Sequence, residues 1–185
     1  RSVDDALAAL QRPPAAELGF ATVDHDRARR CGNPEVVFCQ GKTPADAAAI
    51  AVEILSRSGR LLMTRAEPAH AAAVAERLPQ VRYHPRARCL TVLPRDHELR
   101  GQVAVVSAGT ADLPVADEAA VTLEYAGSRA GRITDVGVAG LHRLAPHLER
   151  IRAANAIVVV AGMEGALPSV VGGLVDRPVI AVPTS

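Results

Sequence analysis

The sequence predicts an α/β protein: a parallel sheet with helices on both faces in its second half, preceded by a smaller α/β unit. Three observations predict it. From Glu35 onward, short Val/Ile-rich runs alternate with Ala-rich stretches at the spacing of βαβ units. Hydrophobic residues make up 49% of the 185 residues but aromatics only 2%, so the core must be built from Ala, Val, Leu and Ile, as in buried strands under small-residue helices. Helix punctuation also recurs at the right places, with Thr-Pro or Pro at starts and Gly at stops.

In order, a short helix is expected near the amino terminus and another around Asp24–Arg30. Val36–Phe38 reads as a strand. Thr43 caps a helix that Pro44 opens and Gly59 stops. Leu61–Met63 is the next strand, and Pro68 starts an Ala-rich helix ending near Leu78. Val81–Tyr83 and Cys89–Val92 complete the first half as strands. The polar break Pro94–Glu98 sets the expected boundary, giving units 1–98 and 99–185. The second half then reads as strand Val103–Val106, helix Pro114–Tyr125 closed by Gly127, and strand Ile133–Val136. Helix Leu144–Ala154, strand Ile157–Val160, helix Pro168–Leu174 and strand Val179–Val182 follow.

Bulk properties exclude several classes. The net charge of +1 comes without a basic block, which argues against nucleic-acid binding. Apolar runs such as Ala156–Ala161 are far too short to cross a bilayer, and no signal-peptide pattern opens the chain. Cys31, Cys39 and Cys89 have neither CxxC nor metal-site spacing; they read as reduced, structural thiols, and a cytoplasmic location is expected.

In a parallel sheet, ligands bind outside the carboxyl ends of the strands, so the loops after strands carry the candidate chemistry. Ser107–Pro114 is a loop of small residues entering a helix. Ser107, Gly109 and Thr110 suit a phosphate, and Asp112 a ribose or a metal; an ordinary βα turn capped by Thr110 or Asp112 is the alternative. Gly137–Arg143 places His142 and Arg143 beside Gly140, an anion clamp with a proton shuttle or else a solvated first helical turn. Ala161–Pro168 sets Glu164 between glycines at the end of an apolar strand. Facing a cleft, it would be desolvated and suited to general acid or base work; otherwise it caps the next helix. Thr184 and Ser185 follow the last strand at the same sheet edge. Lys42 comes after a glycine following a strand and is a phosphate candidate, although Gly41-Lys42-Thr43 lacks the spacing of a P-loop.

These strings carry a resemblance. Ser107–Pro114, Gly140–Arg143 and Ala161–Pro168 resemble the three site loops of the aminoimidazole ribonucleotide carboxylase and mutase family (PurE). They are closer still to the LarB family, pyridinium-3,5-biscarboxylic acid mononucleotide synthases of nickel-pincer cofactor biosynthesis. The similar runs are 107–116, 135–144, 161–174 and 178–185, with Asp24-x-x-Arg27-x-x-Arg30-x-Gly32-x-Pro34-Glu35 and Gly41-Lys42-Thr43 in the first half. The likeness extends from about residue 18 to the last.

The resemblance implies a three-layer flavodoxin/Rossmann-like second half. It also implies carboxylation of the pyridinium ring of nicotinic acid adenine dinucleotide, with phosphoanhydride cleavage releasing AMP. Carbon dioxide or bicarbonate is the co-substrate, magnesium the expected ion, no organic cofactor is expected, and the assembly is a homo-octamer. Glu164 becomes the base that takes the ring proton. Ser107, Gly109, Thr110, Asp112, Gly140, His142, Arg143, Gly162, Met163, Gly165 and Lys42 become nucleotide-binding residues. The family's nucleophilic cysteine lies downstream of the Pro-Thr-Ser strand end, so none of the three cysteines inherits that role, and these 185 residues alone are not expected to complete the carboxylation. An aminoimidazole ribonucleotide mutase and a non-catalytic dinucleotide-binding module are the alternatives. Nothing in the purine family corresponds to residues 1–98.

Overall fold

A computed structural model describes residues 13–184; the helix expected near the amino terminus and Ser185 lie outside them. The described chain opens on an antiparallel hairpin, β1 (Ala15–Glu17) and β2 (Thr22–Asp24), that periodicity did not reveal because each arm is only 3 residues long. The helix expected over Asp24–Arg30 starts later, as α1 (Arg27–Cys31). Asp24 ends the strand, and its carboxylate accepts the Asp26 N–H at 3.0 Å and the Arg30 guanidinium.

The first sheet contains β3 (Val37–Phe38), β4 (Leu61–Thr64), β5 (Arg82–His84) and β6 (Cys89–Val92), in the order β3-β4-β6-β5. Only β3 and β4 are parallel; the other pairs are antiparallel. Helix α2 (Pro44–Ser58) begins as its sequence dictates, with Thr43 Oγ1 accepting the Asp46 N–H at 3.2 Å, and ends at Gly59 with φ of 68°. With α3 (Pro68–Arg77) it covers one face of this sheet, burying Leu61, Met63 and Leu90. Strand alternation sends Leu62 and Cys89 to the opposite face.

The second sheet contains β7 (Arg100–Ser107), β8 (Ser128–Ile133), β9 (Ala156–Ala161) and β10 (Val179–Pro183), in the order β10-β9-β7-β8, with every pairing parallel. Helix α4 (Leu113–Tyr125) packs Ala116 and Ala120 on Val105, Val158 and Val160. The other face, with Ala104, Val106, Ile157 and Val159, is covered by α5 (Leu141–Leu144), α6 (Leu148–Arg152) and α7 (Leu167–Gly172). The result is the three-layer, flavodoxin-like α/β arrangement.

Two expected boundaries differ. The strand expected at Ile133–Val136 runs instead from Ser128 to Ile133. It is an edge strand in which Ile133 alone is buried, so no apolar run marks it, and Val136 packs into the core from the following loop. The single helix expected over Leu144–Ala154 is two short helices joined by a 3-10 turn, Ala145–His147. Pro146 has no N–H to give an interior turn, and its ring would clash with the carbonyl four residues back.

The halves share α4. Its outer side sets Val121 and Tyr125 against Leu62, Ala87 and Cys89, closing the face of the first sheet that α2 and α3 leave open. Arg60 lies 5.0 Å from the Tyr125 ring centroid, Arg65 pairs with Glu118 at 3.0 Å, and His97 Nε2 donates to the Glu124 carbonyl at 2.7 Å. Burial in this seam pushes the Cys89 thiol up to about 12, and burial in the first core pushes Cys39 up to about 11.

Candidate functional site

In chain order, the strands of the second sheet lie 2-1-3-4. Connections therefore leave β7 and β9 toward opposite faces, and a crevice must open between the carboxyl ends of those two neighbours. A cleft of about 470 Å³ lies there. Its walls come from the loops after β7, β8 and β9, with Thr184 after β10.

The loop after β7 passes Gly109 in extended geometry, makes a 3-10 turn at Thr110–Asp112 and enters α4. Asp112 is only 6% exposed, and both of its oxygens carry protein donors. Oδ2 accepts the Gly109 N–H at 2.8 Å, and Oδ1 accepts the Thr184 hydroxyl at 2.5 Å. The Gly109 N–H is thus engaged within its own loop. Thr110 is exposed and lines the cleft.

The loop after β8 is drawn against the first: the Gly137 N–H donates to the Ala108 carbonyl at 2.9 Å. A Cβ at Gly137 would lie 3.0 Å from that oxygen, so glycine permits the approach. Asp135, at φ of 60°, turns into the cleft and pairs with Arg143 Nη1 at 2.8 Å. Arg143 lies directly over Gly140; a Cβ there would stand 2.7 Å from its Nε. Arg143 is thus the cationic side chain of this wall, seated over Gly140.

The loop after β9 turns sharply. The Gly165 N–H donates to the Gly162 carbonyl at 3.0 Å, Gly165 has φ of 63°, and Met163 is held at φ of 53° with its side chain fully exposed. A non-glycine residue in the left-handed region costs about 1–2 kcal/mol, which the surrounding turn must offset. Gly162 lies under Thr184, where a Cβ would come within 2.8 Å of Thr184 Oγ1.

Of the residues expected at the site, Gly109, Thr110, Asp112, Arg143, Gly162, Met163 and Glu164 line one cleft. The desolvation expected for Glu164 is absent in the single chain: the turn carries it beyond the strand end, where it is exposed. Ser107 is wholly buried beneath the cleft, its Oγ without a protein partner. Gly140 is buried behind Arg143, Gly165 closes the turn, and His142 is exposed without lining the cleft. Lys42 belongs to the first half, where its Nζ donates to the Phe38 carbonyl at 2.9 Å; it is not a wall of this cleft.

Sequence reasoning missed Asp135, because a strand over residues 133–136 would place it inside the sheet; Gly137 opens the expected loop but carried no role there. The available signal was the Asp-x-Gly run itself, typical of a loop, where Asp tolerates positive φ.

Among the described residues no group of three or more His, Cys, Asp or Glu is placed to hold a metal. The cleft carboxylates have other positions: Asp112 is doubly bonded, Asp135 is paired with Arg143, and Glu164 stands alone at the rim. Among the described residues the cleft holds no multi-carboxylate cage for magnesium; an ion there would need substrate phosphates as ligands beside a single carboxylate. None of the three cysteines lines the cleft, and no helix among the described residues is long and apolar enough to cross a membrane.

A parallel sheet with this strand order and a glycine-lined cleft at its switch point defines the class: a flavodoxin-like α/β domain with its ligand site at the carboxyl ends of the strands. Residues 102–185 match the family model described as AIR carboxylase, and residues 15–94 match that of the LarB/PurE-like N-terminal domain. An uncharacterized protein of Methanocaldococcus jannaschii is 39% identical over 172 residues, spanning 88% of this chain and 67% of that protein. The chain belongs to the LarB family, with a PurE-like second half, and its domains are those of a carboxylase-type enzyme.

Proposed function

We propose that the protein to which this chain belongs carboxylates the pyridinium ring of nicotinic acid adenine dinucleotide and cleaves its phosphoanhydride, releasing AMP. The observation that carries this reading is the convergence of Glu164, Arg143 and Thr110 on one cleft of about 470 Å³. The presence of the LarB-type first half beside it favours the dinucleotide over aminoimidazole ribonucleotide.

The pyridinium ring is electron-poor and cannot attack carbon dioxide. A thiolate adding to the ring makes a dihydropyridine, which attacks carbon dioxide; a base then removes the ring proton and the thiolate leaves. In this reading Glu164 is that base. Its exposure gives it access to the ring, and water must be excluded by bound substrate or by a neighbouring subunit. Arg143 keeps guanidinium N–H groups beyond those facing Asp135, suited to a carboxylate or phosphate, and Thr110 adds a hydroxyl donor. A magnesium ion, if bound, would be held mainly by the dinucleotide phosphates and would neutralise their charge. Cys39 and Cys89 are buried, with their thiols raised far above neutrality, and neither they nor the exposed Cys31 lines the cleft, so none of the three is placed to supply that thiolate.

Incubating the intact protein with nicotinic acid adenine dinucleotide and labelled bicarbonate tests this. Label should enter a pyridinium mononucleotide with release of AMP, and calorimetry should show tighter binding of the dinucleotide than of aminoimidazole ribonucleotide. Glu164→Gln should bind the dinucleotide yet lose roughly two to four orders of magnitude in carboxylation rate. Preferential binding of the purine precursor, or normal turnover by Glu164→Gln, would sink the assignment.

A further inference from the structure

We infer that the hydrogen bond from the Thr184 hydroxyl to Asp112 is a latch that sets the position of the Glu164 loop, with Asp112 and Thr184 acting as positioning residues. The inference rests on the reading of Glu164 as the reacting base.

Three features meet at this point. Asp112 is buried, and its oxygens are held by donors from two separate segments, Gly109 at 2.8 Å and Thr184 at 2.5 Å. The carboxylate therefore ties the end of β10 to the loop after β7. Thr184 is in turn fastened to the loop after β9: its N–H donates to the Ala161 carbonyl at 3.0 Å, continuing the β9–β10 ladder by one residue. Its side chain also occupies the space that a Cβ on Gly162 would need, 2.8 Å from Oγ1 and 3.2 Å from the Thr184 carbonyl oxygen. Gly162 begins the turn closed by the Gly165 N–H, and Glu164 lies inside that turn. A shift of Thr184 is thus passed through Gly162 to Glu164 within one tight turn, and Asp112 is the fixed point that opposes it. The bond is charge-assisted and mostly shielded from water, the setting in which one hydrogen bond holds a loop most strongly.

The test uses the intact protein with Thr184→Val, which keeps the shape and removes the hydroxyl, and Thr184→Ser, which restores it. Without ligand, amide exchange at residues 109–112 and 161–165 should speed up about tenfold or more in Thr184→Val and return close to wild type in Thr184→Ser. In steady-state carboxylation, Thr184→Val should lose roughly 10- to 100-fold in kcat with little change in KM, because the substrate still binds while the base is misplaced. Thr184→Ser should recover kcat. Unchanged exchange in Thr184→Val, or Thr184→Ser exchanging as fast as Thr184→Val, overturns the latch. Altered exchange with an undiminished kcat overturns its role in positioning Glu164. A wild-type protein that does not carboxylate the dinucleotide, yet shows the exchange pattern, removes the proposed reaction and leaves the latch standing.

Discussion

Replacing Gly140 by Ala separates the stability of this domain from its ability to hold an anion. Gly140 sits at φ of −139° and ψ of 61°, a negative φ at which alanine carries no left-handed penalty. The obstacle is steric: the new Cβ would lie 2.7 Å from Arg143 Nε, 3.1 Å from Nη2 and 3.2 Å from Cζ. These atoms are the far end of a flexible side chain, so Arg143 moves and the backbone stays. The displaced guanidinium loses its pair with Asp135, whose partners are 40% and 56% exposed, a loss within about 0–1 kcal/mol. For a chain of this size the melting temperature should fall by no more than about 2–4 °C. Binding should suffer more, since one charge-assisted hydrogen bond to a ligand anion contributes about 1.5–3 kcal/mol, or roughly 10- to 100-fold in Kd. Calorimetry with nicotinic acid adenine dinucleotide, alongside a thermal melt, reads both quantities, with Arg143→Ala as the reference. Gly140→Ala binding as tightly as wild type would refute the idea that this glycine exists to seat Arg143. A large loss of stability would refute the claim that the side chain yields.

Three further outcomes are expected. Tyr125 is buried with its hydroxyl lacking a protein partner, so Tyr125→Phe should be neutral or stabilising by about 1 kcal/mol in urea unfolding; a marked destabilisation would reveal a hidden partner. Cys31 should react with a thiol reagent at pH 8 while Cys39 and Cys89 react only after unfolding; their thiols are raised to about 11 and about 12, so the stability they contribute is whole below pH 9 and declines as pH rises toward those values, which melting curves between pH 8 and 11 would show. The apolar groove of Leu141, Leu144, Leu148, Val170 and Leu174 should be covered in a homo-octamer of the intact protein, formed mainly through residues 99–185, and a monomer mass by light scattering would contradict this.

The amino-acid sequence by itself determined the α/β class, most elements of both sheets and the loops that line the cleft. Each depends on local physics: valine and isoleucine runs favour buried strands, Thr43-Pro44 and Gly59 punctuate a helix, and small residues between strand and helix leave backbone accessible. The LarB strings were legible for the same reason, since they are contiguous in the chain. What the sequence could not supply was distance between loops. Asp112 reads as a ribose or metal candidate, and nothing along the chain reveals that Thr184, 72 residues away, sits on its carboxylate. Nor do the residues between them reveal that Arg143 rests on Gly140, or that the turn after β9 leaves Glu164 exposed. Likewise, α4 reads as a cover for one sheet, whereas packing gives it Val105 on one side and Leu62 on the other. Local propensity acts along the chain, but strand order decides which loops meet, and partners brought together by a parallel crossover leave no pattern in the residues between them.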